Sequence, residues 1–152
     1  MCKFKLMGLI IILVWTCVSC SSGGETEKET VPEITSFLFV SDSGYSLLVD
    51  RDKKSVEITE PASLRGVVFM FGDTDSSVIT SDVKIPLSAG ACDGIRDWLR
   101  VAESQEKCES GIVAFTSGGA NFEVTYENSA PSSVKITRGG LERKAEIKPP
   151  AA

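Results

Sequence analysis

Residues 111–127, GIVAFTSGGANFEVTYE, decide the fold. Phe122, Val124 and Tyr126 alternate with Glu123, Thr125 and Glu127, so a strand here buries one face and wets the other. Ile112–Thr116 is a second β-rich run. Ser117-Gly118-Gly119 between them is hairpin chemistry rather than a phosphate cradle, because strand and not helix follows it. So short a connection implies antiparallel pairing. The rhythm continues towards the C-terminus: a turn at Pro131, a strand over Val134–Thr137, a turn at Gly139-Gly140, and a strand over Leu141–Ile147.

Towards the N-terminus the period changes. Cys92, Ile95, Trp98, Leu99 and Ala102 form one stripe of a 3.6-residue period, which predicts a helix over about residues 91–104 with Arg96, Asp97, Arg100 and Glu103 off the stripe. Before it come weak strands at Val78-Ile79 and Val83–Leu87. Residues 66–71, GVVFMF, are apolar at consecutive positions and read as a strand covered on both faces, the expected centre of the core. Ile34–Val40, Tyr45–Val49 and Ser55–Thr59 complete a meander, separated by Asp42-Ser43-Gly44 and by residues 50–54. The expectation is an α+β domain over residues 34–148 with a short tail, 149–152: one antiparallel sheet, open or barrel-like, of about seven to nine short strands with one packed helix.

Residues 1–20 are different in kind. Lys3 and Lys5 precede an apolar run from Leu6 to Val14, and Val18-Ser19 makes a small-residue exit, the three parts of a secretory leader. The uncharged stretch is shorter than the roughly 20 residues of a membrane-spanning helix. Cys17-Val18-Ser19-Cys20 resembles the lipobox of bacterial lipoproteins, with Cys17 standing where Leu is usual. The resemblance implies that residues 1–19 are a signal peptide cut after Ser19. It also implies that the Cys20 thiol takes a diacylglycerol and that acyl chains such as palmitate tether the chain to a membrane. Cys17 is the poorer acceptor, since Trp15 and Thr16 precede it where small residues are wanted. Ser21, rather than Asp, after Cys20 implies the outer membrane, with its periplasmic and surface faces both open.

Residues 20–33 then serve as lipidated cysteine and flexible acidic linker. Glu25, Glu27 and Glu29 read as solvated linker or as a surface-export signal. Among five cysteines, Cys2 and Cys17 leave with the leader and Cys20 carries lipid. Cys92 and Cys108 remain in an oxidising compartment, where a structural disulfide is expected. Their wide spacing argues against a redox pair, which favours C-x-x-C.

The precursor carries 16 basic and 21 acidic residues, a charge of −5, and loss of Lys3 and Lys5 leaves 14 against 21, or −7. That balance disfavours nucleic acid as a partner. With no histidine, Ser-His-Asp and Cys-His catalysis and His-ligated zinc are excluded within the chain. Asp50, Asp52, Asp73 and Asp75 stand in loops as turn formers, possible Ca²⁺ ligands, or a glycosidase-like acid and base. Ser-x-x-Lys recurs at Ser81/Lys84, Ser104/Lys107 and Ser132/Lys135 without the companion motifs of serine acyltransferases. The expected function is therefore non-catalytic, with no cofactor and no metal. It is a lipid-anchored envelope domain that binds or inhibits a protein partner or supports envelope assembly. The competing reading is a small envelope hydrolase using Asp73 and Asp75.

Overall fold

Ten strands and one α-helix form in the computed structural model, which describes residues 35–88, 90–104 and 108–150. The leader, Cys20, the linker, Lys107 and the last two residues of the tail lie outside that range. The strands are β1 (Ser36–Ser41), β2 (Ser46–Asp50), β3 (Ser55–Glu60), β4 (Val67–Phe71), β5 (Ser76–Thr80), β6 (Val83–Leu87), β7 (Gly111–Ser117), β8 (Ala120–Glu127), β9 (Ala130–Arg138) and β10 (Leu141–Lys148). A 3₁₀ turn, Ala62–Leu64, lies between β3 and β4, and the helix α1 (Asp93–Glu103) lies between β6 and β7. The α+β reading holds. The strand number slightly exceeds seven to nine because both weak runs, Val78-Ile79 and Val83–Leu87, make full strands.

All ten strands join one antiparallel sheet in the order β6-β5-β4-β3-β2-β1-β10-β9-β8-β7. Each strand neighbours its sequence neighbours, except that β1 also pairs with β10, with Phe39 opposite Ile147, and that β6 and β7 are the two edges of an open sheet. Helix α1 is the connection from one edge to the other. It touches β2 and β3 of the N-terminal meander and β8 and β9 of the C-terminal one.

Four of the hairpin turns hold two residues each, both at positive φ: Ser81-Asp82, Gly118-Gly119, Asn128-Ser129 and Gly139-Gly140. These are the type I′ turns whose twist suits antiparallel strands. The turn expected at Pro131 is therefore made by Asn128-Ser129. Pro131 lies inside β9 opposite Tyr126, at a register shift where its missing N–H is tolerated.

The core lies between α1 and one face of the sheet. Phe39, Val49, Val56, Phe122, Val124 and Ile136 supply it from the strands, and Trp98, Leu99, Val101 and Ala102 from the helix. The ring centroids of Phe39 and Trp98 are 5.3 Å apart. The GVVFMF run is not its centre. In β4 only Phe71 is fully buried, because among the described residues a helix covers one side of the sheet only, and Val68 and Met70 face away beside Ile79 and Ser77 of β5. The helical stripe also needs correction. Cys92 and Ile95 are only half-buried, whereas Asp97 and Val101, off the stripe, are buried completely.

Candidate functional site

The carboxylates singled out in the loops stabilise turns and surface pairs. Asp50 accepts from the Lys53 N–H at 2.9 Å, with the Lys53 ammonium at the same distance. Burial works to raise its pKa, but these bonds outweigh it and the net direction is down. Asp52 lies 3.7 Å from Arg51. Asp73 is highly exposed and paired with Lys54 at 2.7 Å, and the hydrogen bond from that ammonium holds its pKa down. Asp75 sits across the β4–β5 turn, its carbonyl accepting from the Gly72 N–H at 2.8 Å. The adjoining hollow of ≈ 330 Å³ is lined by Asp52 and Asp75 together with Lys53, Lys54 and Lys84, so three ammonium groups share it with the two carboxylates. Among the described residues, no three His, Cys, Asp or Glu side chains gather as a metal site.

The serines are likewise engaged locally. Ser132 donates to the Thr125 carbonyl and Ser104 to the Val101 carbonyl, while Lys135 pairs with Glu123 at 2.6 Å. Ser81 sits in a type I′ turn with Lys84 on the edge strand β6. Cys92 and Cys108 are both free thiols, half-buried against the core. No disulfide joins them here, where the sequence led to the expectation of one. Burial, reinforced by Asp93, pushes the Cys92 thiol pKa up, which makes it a poor nucleophile.

The strongest polar constellation was not apparent from the sequence. Asp97 has no exposed surface and accepts from three guanidinium groups: Arg138 Nη2 at 2.6 Å and Nε at 2.9 Å, Arg143 Nη2 at 2.6 Å, and Arg100 Nη1 at 2.9 Å. Arg138 is bidentate, the geometry that fixes angle as well as distance. Burial is the largest single influence on the Asp97 pKa and would raise it. The combined bonds from Arg138, Arg143 and Arg100 win, and the net direction is down. Arg138 also donates to the Gly118 carbonyl at 2.9 Å, and Arg143 donates to the Gly94 carbonyl while its guanidinium lies 5.8 Å from the Trp98 ring centroid. This clamp fastens α1 to the β9–β10 hairpin and the β7–β8 turn. No local sequence signal announced it, since Arg138 and Arg143 stand 41 and 46 residues from Asp97.

The second candidate is backbone. A two-residue turn makes its closing pair a hydrogen-bonded one, and bonding alternates outward from there. In the β7–β8 hairpin, Ser117, Phe115 and Val113 therefore bond to β8, and Ile112, Ala114 and Thr116 turn their N–H and C=O groups away from it. In the β5–β6 hairpin the outward positions are Lys84 and Pro86. Proline has no N–H, and an edge lysine discourages a docking strand. The edge at β6 is guarded. The edge at β7 is seven residues without a charge or a proline, and Ile112 is 67% exposed.

Among the described residues no helix is long and apolar enough to cross a membrane. No protein-family model, curated protein or solved structure matches the chain.

Proposed function

We propose that this chain is a lipid-anchored protein of the bacterial cell envelope, tethered to the outer membrane through Cys20, whose domain binds a protein rather than catalysing a reaction. The binding surface is the β7 edge, which takes an extended segment of the partner as an added strand. The observation that carries this is the asymmetry of the two edges: three outward N–H and C=O pairs at β7, against a lysine and a proline at β6. The dispersal of the loop carboxylates among lysines supports the non-catalytic reading over the hydrolase.

The anchor and the edge are tested separately. Cys20→Ala abolishes palmitate labelling and releases the domain from membranes; a variant still labelled and still sedimenting with membranes refutes the anchor. A photoreactive amino acid at Ile112 forms an adduct with a protein in the intact envelope, and the same group at Val83 on β6 does not. Absence of any adduct at Ile112 refutes the edge.

A further inference from the structure

We infer that the strand received by β7 is β7 of a second copy of this chain, antiparallel about a two-fold axis through Ala114; this rests on the reading of β7 as the binding edge. In that register Ala114 faces Ala114 of the second copy, Ile112 faces Thr116, and Val113 faces Phe115. The outward N–H and C=O groups of Ile112, Ala114 and Thr116 then satisfy one another. Val113 and Phe115 are half-buried, and Phe115 stacks on Phe122 with centroids 4.7 Å apart. The second copy extends that apolar row across the edge. On the opposite face the next rung is neutralised internally, since Glu123 pairs with Lys135 at 2.6 Å, so no unpaired like charges meet across the axis.

The ends of the strand supply charge complementarity. The same register carries exposed Glu109 to the Gly118-Gly119 turn of the second copy. There the Arg100 guanidinium packs against Gly118, and Arg138 Nη1 lies 3.8 Å from where a Cβ on Gly119 would stand. At this turn Arg100 and Arg138 present their guanidinium groups, with their carboxylate partners behind them: Asp97, which is fully buried, and Asp93, 3.9 Å from Arg138. A two-fold axis makes the Glu109 contact twice. With β6 guarded and β7 free, the association closes at two copies instead of propagating as a fibre.

A strand pair about 24 Å long and one strand deep buries well under the roughly 800 Å² per partner of a standard interface. The dimer is accordingly weak in free solution and is stabilised where lipid anchors hold copies at high local concentration. Cysteine crosslinking of the full-length, membrane-anchored chain tests the register, in a Cys92→Ser/Cys108→Ser background. Opposed Cα atoms of a hydrogen-bonded pair stand about 5.5 Å apart, within disulfide range. Ala114→Cys gives a disulfide-linked dimer on mild oxidation, and Lys84→Cys does not. Ile112→Cys crosslinks efficiently only when mixed with Thr116→Cys, and Glu109→Arg lowers the Ala114→Cys yield about fivefold. Equal crosslinking at Lys84 overturns the inference. So does a monomeric Ala114→Cys chain whose Ile112 photoprobe captures a different protein, a result that leaves β7 as the binding edge. If Ile112 captures nothing, the edge reading itself falls.

Discussion

The C-terminal meander, β7–β10, holds α1 through Arg138 and Arg143 on the buried Asp97, whereas the N-terminal meander, β1–β6, meets the same helix mainly through carbon. On the N-terminal side Trp98 packs on Phe39, the Arg96 guanidinium lies 5.0 Å from the Phe71 ring centroid, and one bond of 2.7 Å runs from Arg96 to the Ser76 hydroxyl. Apolar packing is non-directional and absorbs small sliding. A bidentate guanidinium on a desolvated carboxylate does not. The difference therefore divides labour: the N-terminal half supplies bulk to the core, and the C-terminal half, whose edge strand β7 has no second strand partner among the described residues, is held in fixed geometry.

Asp97→Asn breaks that distinction most severely. It leaves Arg138 and Arg143 facing a neutral amide, and removing one partner of a buried charge cluster costs about 3–5 kcal/mol, a large share of the roughly 5–15 kcal/mol that holds a domain together. Urea unfolding measures it. A loss under about 1 kcal/mol would rank Asp97 with the surface pairs. Acid titration gives the same answer by another route. The Asp97 pKa is held below its ordinary value of 3.8 in the folded protein, so its stabilisation is complete at neutral pH. It drains away only as pH falls below 3.8 through the folded pKa. The wild-type acid transition moves when Asp97 is replaced.

The two glycine turns sharpen the comparison at smaller scale. Gly44, in the β1–β2 turn, has φ +83 with nothing within 4 Å of an added Cβ. Gly118, in the β7–β8 turn, has φ +55, and an added Cβ collides with the Arg100 guanidinium. Gly44→Ala thus reports left-handed backbone strain alone, about 1 kcal/mol. Gly118→Ala adds displacement of Arg100 from Asp97, for about 2–3 kcal/mol in all. Equal losses at the two turns would show that the clamp does not extend to Arg100.

How much of this was legible in the sequence follows from range. FEVTYE announced β8 because period-two alternation is local, and every run read as a strand became one. GVVFMF misled because consecutive apolar residues suit a strand covered on both faces, whereas here Val68 and Met70 sit on the face that, among the described residues, has no helix. Pro131 misled because Asn128 and Ser129 supply the positive φ that the turn needs. The clamp was illegible for a different reason: Arg138 and Arg143 stand 41 and 46 residues from Asp97, and nothing local marks them as its partners. The free edge was hidden likewise, since which strands end a sheet depends on pairing order.

Asp50 is where the smallest effect lies, and where the N-terminal half is tested on the residue type that secures the other half. It caps the β2–β3 turn through the Lys53 N–H and faces an exposed ammonium. Asparagine keeps the acceptor and loses only the charge, which solvent screens at this position. Asp50→Asn should therefore leave the urea midpoint within measurement error of the wild type. Asp50→Ala, which removes the acceptor too, should cost about 0.5–1.5 kcal/mol. A loss in Asp50→Asn comparable to that in Asp97→Asn would mean that charge holds both halves. The division between a carbon-packed meander and a charge-clamped one would then have to be abandoned.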